Sequence, residues 1–346
     1  MQPTLRFAKK LKKYKLSCKK LSTKASREEA KRFLAKTPMK KQLEPILISG
    51  SRGGLACELS RVLCDHYTLV GVDPREQSPE NLFYGETHQT HYKSRKVDDL
   101  FRQHKFKAFF HLGRIPVTSS LSRNDRYSEN VMGTQHLLSL CKEHKIPLVV
   151  VLSTFHVYGA HSQNPLYLHE SDTLRATQTI PQLSDALELD HLATQFALTY
   201  TEGDTVILRP SHIVGPHISN ALSQIFRMGS VPTPMGFDPL FQLLHQDDLT
   251  NILKLILKKP HKGVFNIAGP GILPLSKLLE IKKIQELPIP DVFLRTMVKV
   301  PPFKSANIPN YLIDFFKYSC VIDTSEFEKT YKYKFKHTLI DSILSL

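Results

Sequence analysis

The residues best suited to chemistry lie in a glycine-rich turn behind a short apolar run. Gly50, Arg52, Gly53 and Gly54 follow apolar residues 46–48 and precede a helical pattern of leucines and valine. Glycines in such a turn let the backbone approach a pyrophosphate, and the N–H groups that open the next helix attract its charge. The sequence therefore predicts a phosphate-binding turn between a strand and a helix.

A carboxylate follows at the distance that a dinucleotide site requires. Asp73 ends the next apolar run, 23 residues after Gly50. A carboxylate at this place accepts hydrogen bonds from the adenosine ribose hydroxyls and repels a 2′-phosphate. Arg52 and Arg75 lie nearby and favour the phosphorylated form to some degree. The predicted cofactor is NAD, with NADP as the less favoured alternative.

The segments around these residues alternate between strand and helix patterns. Apolar, β-branched runs predict strands, and apolar residues three or four apart predict helices. The alternation predicts an α/β fold of the Rossmann-like type, a doubly wound parallel sheet with helices on both faces. The predicted strands are 46–50, 67–73, 106–112, 146–153, 205–209 and 264–268, and the main predicted helices are 55–63, 131–144 and 183–200.

The chain is predicted to have three parts. Residues 1–44 form a basic extension with helical patterns, and residues 45–215 form the dinucleotide-binding domain. A strand near 238–268 returns to that domain's sheet. Residues 216–237 and 269–346, which are interrupted by prolines, form a smaller substrate lobe.

The positive charge of the chain is concentrated in the extension. Residues 1–44 carry 15 Lys/Arg and three acids, whereas the rest carries 32 basic and 29 acidic residues. The main domain is therefore a poor candidate for nucleic-acid binding. Its basic helical pattern is suited to contact with an anionic membrane surface or a nucleic acid through residues 1–41. A solvated basic tail, or a helix that docks on its own domain, is the favoured interpretation.

Membrane-spanning and metal-binding proteins are disfavoured, because the sequence lacks the patterns that they require. No run of about 18 apolar residues is long enough to cross a membrane. The five cysteines are scattered without metal-ligand spacing, which fits a reducing compartment, and no metal site is expected. We expect a cytoplasmic protein that is peripheral to a membrane if the extension binds one.

A series of short motifs follows the glycine turn in a fixed order. His111-Leu112-Gly113 ends a predicted strand, Asn130 opens an Asn-x-x-Gly-Thr-x-x-Leu-Leu helix, and Ser153-Thr154 ends a strand before Val-Tyr-Gly. Leu-Arg-Pro at 208–210 and His-x-Asp-Asp at 245–248 continue the series. Over roughly residues 45–270 the chain resembles the extended short-chain dehydrogenases, the NAD-dependent epimerase/dehydratase family, which usually act on nucleotide sugars.

The resemblance implies roles for individual residues. It implies that the Thr154 hydroxyl bonds the reacting oxygen of a nucleotide sugar or other small-molecule substrate. It also implies a homodimer through helices near 130–144 and 183–200. The residues that it assigns to the cofactor are Gly50, Arg52, Gly53, Gly54, Asp73, His111, Leu112, Gly113, Asn130 and Ser153.

The resemblance fails at the family's proton-transfer pair, Tyr-x-x-x-Lys. Residues 146–253 contain no lysine, although the chain has 32. Alignment by the later residues of the helix places Gln182 at the tyrosine position and Ala186 at the lysine position. Loss of general acid/base catalysis is typically worth ~10²–10⁴-fold in rate. The sequence therefore predicts an NAD-binding protein with impaired or altered catalysis.

Two other functions stay open at this point. One is an active nucleotide-sugar epimerase/dehydratase or hydroxysteroid-type dehydrogenase with a substitute acid/base. The other is a surface-binding protein that acts through its basic extension. The possible substitutes are Asp185 and Glu188, interpreted as solvated helix residues, His156, interpreted as packed at a strand end, and Tyr158, interpreted as packing in its turn.

Three further residues or groups depart from the family or admit a simpler role. Phe241 occupies the place where nucleotide-sugar enzymes often have an arginine for the diphosphate, and Arg227 or Arg295 could serve instead. His245, Asp247 and Asp248 are interpreted as capping a helix and its loop. The pair Tyr92/Lys96 matches Tyr-x-x-x-Lys only by coincidence.

Overall fold

The computed structural model describes residues 43–76, 81–297, 309 and 311–346. The helices expected in residues 1–41 lie outside the described residues. The compact unit that contains the predicted site is Glu44–Leu346. Within the described residues, no helix has both the length and the apolar character needed to cross a membrane.

The centre of this unit is a parallel sheet of seven strands. They are β1 (Pro45–Ser49), β2 (Thr68–Asp73), β3 (Glu86–Gln89), β4 (Ala108–His111), β5 (Leu148–Leu152), β6 (Asp204–Pro210) and β11 (Gly263–Ile267). They lie in the order β11-β6-β5-β4-β1-β2-β3, and every neighbouring pair is parallel. The strand order reverses direction between β1 and β4, which is the switch point of a doubly wound fold.

The sheet is buried on both faces because its apolar strands project side chains alternately to each side. In β1, Ile46 and Ile48 pack into one hydrophobic cluster, while Leu47 packs into the cluster on the opposite face. The helices that flank the sheet are α1 (Gly54–Leu63), α2 (Arg95–Gln103), α4 (Thr134–Glu143), α6 (Ser184–Thr199) and α8 (Gln246–Lys258). The short helix α3 (Arg123–Tyr127) leads into α4, and the short helix α5 (Ala176–Thr179) packs through Ala176 in a separate cluster with Phe155 and Leu183.

A smaller group of elements has its own hydrophobic cluster, which includes Leu222, Phe226, Leu278 and Phe316. It contains three two-stranded sheets, formed by β7 with β10, β9 with β12, and β8 with β13. The strands are β7 (His212–Val214), β8 (Ser230–Pro234), β9 (Leu240–Phe241), β10 (Leu243–His245), β12 (Leu273–Pro274) and β13 (Gln285–Ile289). The helices are α7 (Ala221–Phe226), α9 (Leu275–Lys282), α10 (Asp291–Met297), α11 (Tyr311–Phe315) and α13 (Leu339–Leu344). The helix α12 (Ser325–Tyr331) instead packs on β11 of the main sheet through Phe327 and Tyr331.

The predicted fold class is confirmed, and the differences are local. The strand β3 was missed because Glu86–Gln89 is short, polar and at the edge of the sheet. The helix predicted from residue 131 continues a longer helical segment that begins at Arg123–Tyr127 and passes through a π-helical turn, Ser128–Gly133. Predicted helix 183–200 corresponds to α6, and predicted strand 146–153 corresponds to β5.

A buried ion pair joins β6 to α6. Arg209 Nη2 lies 2.7 Å from Asp190 Oδ1, and Arg209 Nε donates to Asp190 Oδ2 at 2.9 Å. The side chain of Asp190 has no exposed surface, and only 4% of the Arg209 side chain is exposed. Ser153 Oγ also donates to Asp190, so the end of β5 is fixed to the same carboxylate.

Replacement of Asp190 by alanine should destabilise the protein strongly, because it leaves the guanidinium of Arg209 buried and unpaired. We expect a loss of about 3–5 kcal/mol in the free energy of unfolding, measured by urea denaturation. Asp99→Ala removes an exposed pair with Arg102 and should change that free energy little. Equal effects of the two substitutions would contradict the structural role of the buried pair.

Candidate functional site

The predicted cofactor turn lies at the switch point of the sheet, where β1 and β4 end side by side. Gly50 has a φ of +74°, and a Cβ at this position would overlap the backbone of Gly113. Gly113 is equally confined, because a Cβ there would overlap the hydroxyl of Tyr92 and the backbone of Gly50. Only glycine meets both demands, a left-handed backbone and a backbone-to-backbone contact.

The helix α1 begins at this turn with an open N-terminus. Its N-cap residue is Gly53, and no side chain caps the helix. A Cβ on Gly53 would lie 3.3 Å from the carbonyl oxygen of Gly50, whereas a Cβ on Gly54 would overlap the carbonyl of His217. The uncapped N–H groups and the positive end of the helix dipole could hold a pyrophosphate.

Asp73 is buried at the end of β2, and its carboxylate is fully engaged. Oδ1 accepts from the backbone N–H and Nε of Arg75, and Oδ2 accepts from the backbone N–H of Arg52 and from Arg75 Nη2. These four bonds occupy the four lone-pair positions of a carboxylate. A ribose hydroxyl must therefore exchange with a bond to Arg75 if it is to bind Asp73.

His111 and Asn130 hold the chain that follows β4. His111 is buried between the hydroxyls of Ser49 and Thr134, at 2.6 and 2.7 Å from its two ring nitrogens. Burial lowers the pKa of His111 to about 4. The side chain of Asn130 accepts from the backbone N–H of Ile115 and donates to its carbonyl, at 2.8 and 2.9 Å. Both residues shape the wall of the crevice.

A cavity of about 300 Å³ runs along this crevice from the glycine turn to the end of β5. This volume is at the lower end of the range for small-molecule sites. Predicted site residues form part of its wall, namely Gly53, Gly54, Leu112, Ser153 and Thr154. The wall also contains Arg75, Arg114 and His156, together with His212 and Tyr311 from the smaller lobe.

Thr154 and His156 form a hydrogen-bonded pair in the wall of this cavity. Thr154 Oγ1 lies 2.7 Å from His156 Nδ1, and the backbone N–H of His156 donates to the same Oγ1 at 3.3 Å. Because Oγ1 accepts from that N–H, its own proton is free to point to Nδ1. The other ring nitrogen, Nε2, is buried without a hydrogen-bond partner.

Side chains from several elements surround His156. The rings of His212, Phe315 and Tyr311 lie with centroids 5.3, 4.7 and 5.7 Å from its own. Burial lowers the pKa of His156 well below its usual value, and His212 and Arg114 lower it further. Its imidazole is therefore neutral at pH 7.

Gln182 and Ala186, the residues aligned with the family's tyrosine and lysine, do not form a proton-transfer pair with each other. Gln182 is exposed in a short 3₁₀ turn, Pro181–Leu183, and Ala186 is buried at the start of α6. The expectation that Asp185 is solvated was wrong. Asp185 is buried, where Asn130 Nδ2 and Arg126 Nε both donate to its Oδ2.

The remaining substitute candidates are engaged elsewhere or lie outside the cavity wall. Tyr158 donates to Asn266 and accepts from Arg209, and burial raises the pKa of its phenol to about 12. Its interpretation as a packing residue is confirmed. Glu188 is partly buried on α6 and is not among the described residues that line the cavity.

The substrate side is aromatic where an arginine was expected. Phe241 is buried and stacks on His212, with ring centroids 5.2 Å apart. Arg295 pairs with Asp314, and Arg227 is exposed, so neither reaches the described wall of this cavity.

The two simpler interpretations of sequence motifs are confirmed. His245 is the N-cap of α8, where its side chain accepts from the backbone N–H of Asp247. The carboxylate of Asp248 binds the loop that contains His337. Tyr92 is buried in the core whereas Lys96 is exposed, so the two side chains do not form a catalytic pair. His245, Asp247 and His337 bring three possible ligand atoms within 4.8 Å, the one such group in the described part of the chain.

Sequence reasoning missed three residues of the cavity wall. Arg114 directly follows the Leu112-Gly113 motif, and a charged residue at a strand end was a usable signal. His212 lies two residues after the Arg-Pro motif, again at the end of a strand. Tyr311 had no such signal, because α11 is far away in sequence.

The strand order, the glycine turn at a helix N-terminus and the carboxylate that ends β2 together define a Rossmann-like dinucleotide-binding fold. Residues 46–268, more than half of the chain, match the model of the NAD-dependent epimerase/dehydratase family. The chain belongs to this family.

The curated relatives that the chain resembles are matched over only part of their length. An uncharacterised protein of Mycobacterium tuberculosis is 31% identical over 164 residues, which are 46% of this chain and 43% of that protein. Human short-chain dehydrogenase/reductase family 42E member 1 is 28% identical over 238 residues, which are 61% of this chain and 58% of that protein.

Solved structures with the same fold cover most of the chain. MoeE5 in complex with UDP-glucuronic acid and NAD has a TM-score of 0.67 and 20% identity, covering 87% of this chain and 97% of its own. UDP-glucuronic acid 4-epimerase from Bacillus cereus, also in complex with UDP-glucuronic acid and NAD, has a TM-score of 0.68 and 18% identity, covering 87% and 97%. At these identities the likeness establishes the fold.

Gly50→Ala should destabilise the protein more than the same change at Gly236. Both glycines have positive φ, but a Cβ at Gly50 overlaps Gly113, whereas nothing lies within 4 Å of one at Gly236. The difference in the free energy of unfolding should be about 1–3 kcal/mol, the usual cost of overpacking. Urea denaturation of both variants measures it, and equal losses would show that the contact at the switch point is unimportant.

Proposed function

We propose that this protein binds NAD at the switch point of its sheet and that its redox chemistry is impaired or altered. The observation that carries the proposal is the pairing of an open glycine cradle with an exposed Gln182 and a buried Ala186. The resemblance assigns these two positions to the family's tyrosine and lysine, and neither an amide nor a methyl group can transfer a proton.

The geometry around the glycine turn supports the choice of an adenine dinucleotide. The bare N-terminus of α1 suits the pyrophosphate, Asp73 suits the adenosine ribose, and Leu112 and Ser153 line the cavity beyond. If a ribose hydroxyl replaces one of the bonds from the Arg75 side chain, the carboxylate of Asp73 favours the form without a 2′-phosphate. NAD is therefore the proposed cofactor, and NADP is the weaker alternative.

The proposed substrate is a small molecule with a secondary hydroxyl group. The hydroxyl of Thr154 would bond the reacting oxygen, and the bound nicotinamide would supply the hydride chemistry. Solved structures with this fold contain nucleotide sugars, including UDP-glucose in MoeE5. The aromatic pair Phe241 and His212, in place of a cation for a diphosphate, favours a second candidate, a hydroxysteroid-like alcohol.

Calorimetry with NAD and absorbance of NADH together test the proposal. We expect NAD to bind, and we expect turnover of nucleotide sugars and hydroxysteroids to be about 10²–10⁴-fold slower than with an intact acid/base pair. Rapid turnover, in the range of 1–10³ s⁻¹ typical of enzymes, would contradict impairment. Failure to bind NAD would refute the whole proposal.

A pair of glycine variants controls for the binding site. Gly53→Val places a branched side chain beside the carbonyl of Gly50 and should abolish NAD binding. Gly229→Val is made at an exposed position where nothing lies within 4 Å of a new Cβ, and it should leave binding unchanged.

We also propose that the basic residues 1–41 bind an anionic membrane surface or a nucleic acid. The charge of this segment supports the proposal, since each Lys or Arg near an anionic membrane is worth about 1 kcal/mol. A peripheral location in the cytoplasm and a homodimer through the segments 130–144 and 183–200 remain predictions.

The full chain and a chain that starts at Gln42 should differ in sedimentation with phosphatidylserine vesicles or in retention by RNA. The shorter chain should lose the binding, and the binding of the full chain should weaken as salt rises. Unchanged binding after the truncation would remove any role of the basic segment.

A further inference from the structure

We infer that His156 takes the place of the missing tyrosine as the group that accepts the substrate's hydroxyl proton, through the hydroxyl of Thr154. The inference rests on the proposed NAD binding. It assigns a proton acceptor to a site whose tyrosine and lysine positions hold Gln182 and Ala186.

The hydrogen bonds already orient a proton path. The backbone N–H of His156 donates to Thr154 Oγ1, which leaves the hydroxyl proton of Thr154 free to point to Nδ1, 2.7 Å away. The inferred tautomer is the one in which Nδ1 accepts that proton and Nε2 carries the hydrogen. The remaining lone pair of Thr154 Oγ1 is available to a hydroxyl group of a molecule in the cavity.

Each proton on this path has a donor and an acceptor. In the oxidation of a secondary alcohol, a bound oxidised nicotinamide would supply the acceptor for the hydride that the C–H bond loses. The O–H bond breaks and its proton passes to Thr154 Oγ1, while the proton that Thr154 held passes to His156 Nδ1. The substrate becomes a carbonyl compound, and the imidazole becomes an imidazolium.

The surroundings of His156 keep it in the accepting form. Arg114 and His212 face it from the end of β4 and from β7, and the phenol of Tyr311 faces it from α11. Burial and the charge of Arg114 both lower the pKa of the imidazole. It is therefore neutral near pH 7, but it is a weak base, which agrees with slow rather than absent chemistry.

Tyr311 is the rival acceptor in the same wall. Burial raises the pKa of its phenol, although Arg114 opposes that rise. A phenol in that condition remains protonated at neutral pH and cannot accept a proton. If Tyr311 acted as the base, activity would climb throughout the range from pH 6.5 to 8.

The kinetic test uses the full chain saturated with NAD, and the panel of nucleotide sugars and hydroxysteroids. His156→Asn should lower kcat by about 10²-fold or more while the Kd for NAD is unchanged. His144→Asn, which alters a partly buried histidine at the end of α4, should change kcat less than twofold. The kcat/KM of the unaltered protein should stay level from pH 8 to 6.5, because His156 remains neutral over that range.

Two further variants test the relay even if His156→Asn fails to fold. Thr154→Val removes the hydroxyl at nearly constant volume and should reproduce the loss, whereas Thr154→Ser should retain most of the rate. A loss confined to Tyr311→Phe, or equal rates for the valine and serine variants, would overturn the inference.

A spectroscopic measurement is independent of turnover. Nitrogen-15 NMR of labelled histidine, without cofactor, should show a neutral His156 with its hydrogen on Nε2 from pH 8 to 6.5. Thr154→Val should shift the Nδ1 resonance, and a hydrogen on Nδ1 would overturn the inference. NAD binding without any hydride transfer would also overturn it while leaving the proposed NAD-binding function intact, whereas failure to bind NAD would end both.

Discussion

The contact between the backbones of Gly50 and Gly113 is the constraint on which the site depends. The segments that follow the adjacent parallel strands β1 and β4 continue to opposite faces of the sheet. The crevice lies between these segments, whose backbones are in contact at Gly50 and Gly113 where they diverge. Two glycines make the contact possible. The contact directs the turn after β1 towards the N-terminus of α1, and it places the segment after β4 against Asn130. The position of the cavity wall therefore depends on this one contact between two backbones.

The groups that line the crevice beyond this contact are largely neutral. The buried imidazoles of His111, His156 and His212 all have lowered pKa values because burial disfavours their charged forms. The cations in the described wall are Arg75, which Asp73 already pairs, and Arg114. The inferred proton path thus joins a hydroxyl to a neutral ring, where the family has an ammonium beside a phenol, and it would depend on hydrogen-bond geometry more than on charge.

Much of the sheet was predictable because its strands are short apolar runs bounded by turns, and a central parallel sheet is the usual structure in which such runs are buried. The glycine turn and Asp73 were predictable because their positions after the first and second strands are those that a dinucleotide site requires. The short polar strand β3 had no apolar pattern to reveal it. Asp185 shows a different limit: helical periodicity does not tell which neighbouring element covers a residue, and Arg126 and Asn130 come from a separate helical segment. Tyr311 enters from a distant segment, so only tertiary structure brings it to Thr154 and His156.

The buried group of Arg126, Asp185 and Asn130 has a consequence for the redesign of the site. A tyrosine and a lysine introduced at positions 182 and 186 would enter the start of a helix whose carboxylate, Asp185, already accepts from the guanidinium of Arg126 and from the amide of Asn130. The added ammonium would need a partner other than this occupied carboxylate, or a change at Arg126. Two substitutions alone are therefore not expected to give this site a tyrosine–lysine pair.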